Sequence, residues 1–166
     1  MKSEALLAEI QSAFPVVAMP SKADLPFDLE RGGLDEYLAN ELDELRGKRV
    51  DGAVIRHVHQ EMSCLSAKGW AWILPHYLRY CLTEEAEHNE METEFLIYHL
   101  GPDQKFQADA RKRLSLLNSQ QIQCLIHFMQ WLKSHPHWIA YLLADIDRAI
   151  AFLCALQTNQ AFETDG

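Results

Sequence analysis

Eight histidines and a dense set of carboxylates are the residues of this chain whose types and spacing suit chemistry. Glu85-Ala86-Glu87-His88 puts a carboxylate and an imidazole three residues apart, on one face of a helix. Carboxylate-bridged di-iron bundles use that spacing, but they use it twice and add two Glu from other helices. The chain has no second copy, and within a run of six Glu one such spacing is expected by chance. His57 and His59 share one side of a strand with Glu61; on a helix only His57 and Glu61, four apart, come together. An imidazole and a carboxylate at that helical spacing also make an ordinary surface pair. The sequence therefore assigns no metal site and no cofactor, and leaves Glu85, His88, His57 and Glu61 as candidate ligands to inspect. His135-Pro136-His137 reads as a polar turn between helices.

Nucleophilic catalysis finds no support. There is no G-x-S-x-G elbow and no G-x-x-x-x-G-K-[ST] phosphate loop, and Gly32-Gly33 lacks the rest of a dinucleotide fingerprint. Cys124 stands three residues from His127 but on the apolar side of its helix, where a thiol is inert. No catalytic residue is assigned, and the balance is against an enzyme.

Two carboxylate features break the local pattern. Asp147 has Leu143, Ile150, Ala151 and Cys154 as helical neighbours, which makes it either a buried carboxylate, paired across helices or serving a pocket, or the mark of a second solvent-facing edge. Glu84, Glu85, Glu87, Glu90, Glu92 and Glu94 concentrate negative charge on one helix start, without Lys or Arg. Its default reading is a solvated face; its sharper one is a docking face for a basic protein.

The elements that must position these residues read as helices. Ser3 opens one that ends near Phe14-Pro15. Residues 14–33 read as a long extended loop with Pro20, Pro26 and Gly32-Gly33. Leu34, Leu38, Leu42 and Leu45 predict a second helix stopping at Gly47. Val50 to Val58 fits a helix or a strand. Trp70, Ile73, Leu74, Tyr77, Leu78 and Cys81 make a wide buried stripe, with Pro75 as a kink or a new start. A helix bearing Met91, Phe95 and Tyr98 stops at Gly101-Pro102, and a short one precedes Arg113. Asn118 and Gln121 form a predicted capping box for the helix 119–133. Trp138 to Gln157 reads as a central buried helix, with 158–166 a frayed tail. Two-residue alternation is nearly absent. The expected fold is all-α: one domain over 1–166, an irregular bundle of about six to seven helices with a long N-terminal loop.

Bulk properties narrow the partners. A net charge of −9 speaks against nucleic acid and anionic lipid surfaces, and suits a soluble protein that meets a basic one. Glu4 and Glu9 interrupt any signal-peptide-like run, and no membrane-length apolar segment occurs. Four unpaired-looking Cys fit a reducing cytoplasm.

Three stretches carry a resemblance: Glu36-Tyr37 through Gly47-Lys48; Leu65-Ser66 with Ile73-Leu74-Pro75-His76-Tyr77-Leu78; and Leu117-Asn118-Ser119-Gln120-Gln121. Together they resemble an uncharacterised bacterial family, a domain of unknown function whose helix start reads L-T-x-E-Q. The chain departs from it in Gln121, where Glu-Gln is usual. The resemblance implies a compact helical domain and no particular activity. Two functions stay open: an acidic protein-binding or regulatory module of the bacterial cytoplasm, by analogy one that neutralises a basic toxin, and a metal- or small-ligand-binding protein using His57, His59, Glu85, His88 or Asp147.

Overall fold

A computed structural model describes residues 2–28 and 33–164, with side chains through Asn159. Helices α1 (Ser3–Ala13), α2 (Gly33–Asp43), α3 (Gly52–Val58), α4 (Ala67–Tyr80), α5 (Glu84–Asn89), α6 (Met91–Leu100), α7 (Gln107–Arg113), α8 (Ser119–Lys133) and α9 (Pro136–Thr164) follow one another. Among the described residues there is no strand, only an isolated antiparallel bridge of Pro26 with Leu65. The fold is all-α.

Capping side chains start α3, α4, α5 and α8, whereas α1 already includes Ser3 and has no side-chain cap. Asp51 accepts from the amides of Ala53 and Val54, which settles Val50 to Val58 as helix rather than strand. Ser66 accepts from Gly69, and Thr83 from Ala86. The predicted box before α8 is complete: Asn118 accepts from the Gln121 amide at 2.9 Å and Gln121 Oε1 from the Asn118 amide at 3.0 Å. Behind α2 the chain turns at Gly47, whose φ of +79° favours a residue without Cβ.

Several expectations are corrected. A long N-terminal loop is not what the chain has. It opens on helix α1, and the segment behind is pinned by a 3₁₀ turn at Lys22–Asp24 and by main-chain bonds of Phe27 to Cys64 and of Ser66 to Leu25. Residues 29–32 of the predicted loop lie outside the described residues. Pro75 sits inside a continuous α4. The acidic run does not form one helix: Glu90, at φ 62°, separates α5 from α6. The last helix continues to Thr164, bends where Leu142 leaves helical geometry, and is not buried all round. Its inner stripe is Trp138, Leu142, Ile146, Ala149, Phe152 and Leu153, while Ile139, Tyr141 and Leu143 face water.

Helix α4 supplies much of the core through Trp70, Ile73, Leu74, Tyr77 and Leu78, and α8 through Ile122, Leu125, Phe128, Met129 and Leu132. Helix α1 packs on both, α3 and α7 lean on α4, and α6 lies on α9. Helices α8 and α9 form an antiparallel hairpin across a two-residue turn. Lys133 meets Asp147 at 2.6 Å and Gln123 meets Gln157 at 2.9 Å, so ten residues back along α8 corresponds to ten forward along α9. Among the described residues no helix is long and apolar enough to cross a membrane.

Candidate functional site

The predicted metal-ligating residues are dispersed by the fold. His57 Nε2 meets Glu41 of α2 at 2.8 Å, and Glu61 shares that shallow hollow of about 260 Å³. His59 turns inward instead and donates Nδ1–H to the Arg56 carbonyl at 2.6 Å. Glu85 is ion-paired with Arg56, and its carboxylate raises the guanidinium pKa. His88 lies exposed in the last turn of α5. Among the described residues no group of three or more His, Cys, Asp or Glu is arranged to hold a metal ion.

Asp147 is not buried. Its side chain is 50 % exposed and pairs with Lys133. The inward stripe of α9 runs through Trp138, Leu142, Ile146, Ala149 and Leu153, and Asp147 lies beside it with the exposed Leu143, Ala151 and Cys154, on a second solvent-facing edge.

The six Glu divide into three environments. Glu84 and Glu87 are solvated on α5, with Glu85 held by Arg56. Glu92, 1 % exposed, is a buried carboxylate: Oε1 accepts from the Tyr80 hydroxyl at 3.3 Å and Oε2 has no partner. The pattern around Glu92 did not mark it, because a two-helix break at Glu90 sets its direction. Glu90 and Glu94 are the two that share a concave surface.

That surface is a groove of about 420 Å³ between the start of α6 and the start of α9, lined by Glu90, Glu94, His137, Trp138, Tyr141 and Leu142. Glu90 meets His137 Nε2 at 3.2 Å. The His137 ring contacts Trp138 edge-on at 4.8 Å and tilts towards Tyr141 at 5.7 Å. Glu94 accepts from the Tyr98 hydroxyl at 2.7 Å, which pushes the phenol pKa up to about 12. Tyr141 is 79 % exposed, and Met91 and Ile139 are exposed on the same two helix starts. A wall of aromatic faces beside two carboxylates can take an ammonium or guanidinium group by charge pairing and by contact with the π faces. Tyr141 was hidden in the sequence by the apolar run around it, which read as core.

No curated protein and no solved structure matches this chain. A family profile, described as a family of unknown function (DUF6714), matches residues 2–138. The match spans most of the chain, which therefore belongs to the DUF6714 family.

Proposed function

We propose that this protein is a protein-binding module that receives a basic segment of a partner in the groove between α6 and α9. The observation that carries the reading is Tyr141, a large aromatic side chain left in water beside the Glu90 and Glu94 carboxylates. Lone exposed apolar residues are ordinary, but Tyr141 lines a concave surface beside two carboxylates and the His137 and Trp138 rings. The excess of acidic over basic side chains adds long-range attraction for a cationic partner. Lys or Arg side chains of the partner lie over the aromatic faces, with their charges on Glu90 and Glu94.

The test is affinity capture from the native host at low salt with the wild-type chain, Tyr141→Ala and the double variant Glu90→Gln/Glu94→Gln. A stoichiometric basic partner should be held by wild type and weakened by about tenfold or more in either variant. Its binding should also weaken as salt rises. A partner retained equally by all three proteins, or an acidic partner, would overturn the reading.

A further inference from the structure

On the far side of Tyr98 a separate cavity of about 560 Å³ opens between α6, α7 and α9. Its polar wall holds His99, Asp103, Asp109, Arg113, Asp145 and Arg148. Two arginines are fixed there by main-chain carbonyls. Arg148 donates Nε–H to the Gly101 carbonyl at 2.6 Å and Nη2–H to Asp145 at 2.6 Å, which leaves Nη1 at 3.9 Å from Asp103. Arg113 is buried, donates Nε–H to the Ser63 carbonyl at 3.0 Å and lies 4.2 Å over the Phe27 ring. Neither guanidinium needs to be ordered by an incoming ligand.

His99 is held in one tautomer. Its Nε2 meets the His59 carbonyl at 2.8 Å, and a carbonyl only accepts, so the proton is on Nε2. Nδ1 is therefore a lone-pair acceptor. Burial lowers the pKa to about 4, so the ring stays neutral near pH 7. Trp70 and Phe95 flank the ring at 5.9 and 6.4 Å and hold its plane.

A ligand of one sign would meet repulsion from half of this wall. A small molecule bearing both signs satisfies it. Pro102, Phe106 and Ala110 add an apolar patch, and the volume lies within the range of small-molecule sites. We propose that the cavity binds a free α-amino acid, its ammonium group taken by the aspartates and the His99 Nδ1, its carboxylate by Arg148 and Arg113, and its side chain by the apolar patch. The site is distinct from the docking groove and does not depend on it.

The experiment is a titration of the full-length, ¹⁵N-labelled protein with each of the twenty free amino acids, read at the imidazole nitrogens of His99. At least one, of apolar side chain, should shift Nδ1 saturably. Its N-acetyl derivative, which lacks the ammonium, and its amide, which lacks the carboxylate, should each bind at least about tenfold more weakly, as loss of a charged hydrogen bond requires. Asp109→Asn, at a partly exposed position whose carboxylate lies 3.6 Å from Lys112, should weaken binding of the free amino acid by a similar factor while the amide spectrum keeps the native pattern. The proposal is overturned if no amino acid at about 10 mM, the edge of measurable affinity, moves the His99 signals. It is equally overturned if the capped derivatives bind as well as the free one.

Discussion

His99 on α6 donates its Nε2–H to the backbone carbonyl of His59, just past the end of α3, at 2.8 Å. The bond ties two segments forty residues apart, and a charged ring could make it too, so it is burial that keeps the ring neutral. Burial lowers the His99 pKa from 6.5 to about 4, so the unfolded chain binds a proton that the folded one refuses between those values. Stability therefore rises with pH across that window. The His99 contribution is complete above about pH 6.5 and is lost as pH falls towards 4. Denaturant melts at pH 7, 6, 5 and 4 on wild type and His99→Phe check this: the variant should lack that part of the slope. An equally steep slope in both would remove His99 as its source.

Glu92 predicts an unusual substitution effect. A buried carboxylate oxygen without a partner costs more than a buried neutral amide. Glu92→Gln should raise stability by about 1 kcal/mol, whereas Tyr80→Phe, which removes the donor to Oε1, should lower it by about 1–3 kcal/mol. Urea unfolding of both variants at neutral pH measures the two signs. A destabilised Glu92→Gln would mean that the carboxylate is better satisfied than its geometry allows.

The end of α6 approaches α9 closely at Gly101. A Cβ there would lie 2.9 Å from the Asp145 oxygen and 2.9 Å from the Ala149 nitrogen, both backbone atoms that cannot rotate away. Gly101→Ala should destabilise by about 1–3 kcal/mol through forced separation of the helices. Thermal melts read it directly; an unchanged Tm would show that the two helices separate without cost.

The four thiols should react very unequally. Burial raises the Cys64 pKa to about 11 and those of Cys81 and Cys124 to about 12, so their reactive thiolates are scarce at neutral pH. Cys154 is exposed on α9. A chromogenic disulfide reagent should label one thiol rapidly in the native protein, and all four once it is denatured. Fast labelling of two or more native thiols would contradict the burial.

Helix starts were the most legible part of the fold, because caps are local. Asn118 with Gln121 needs only its own few residues to be recognised, and the bonds form as the spacing implies. Directions of single side chains were not legible from residue type alone. Asp147 has apolar helical neighbours, yet Leu143, Ala151 and Cys154 are themselves exposed, and the carboxylate faces outward to Lys133. Glu92 looks like one of six equivalent charges until Glu90 breaks the run and turns it inward. His99, Arg113 and Arg148 carry no sequence signal at all. They come from three helices, and their common cavity exists only through long-range packing.

The α8–α9 hairpin bears on how this family is cut into pieces. The region shared with the DUF6714 family ends at Trp138, in the first turn of α9. Yet Ile146, Ala149 and Leu153, all beyond that point, are fully shielded from water, as are Phe128 and Met129 on α8. A polypeptide ended at the family boundary would leave the apolar side of α8 and the outer side of α6 wet. The matched stretch and the packed core thus end at different residues, and α9 carries the core past the last matched one.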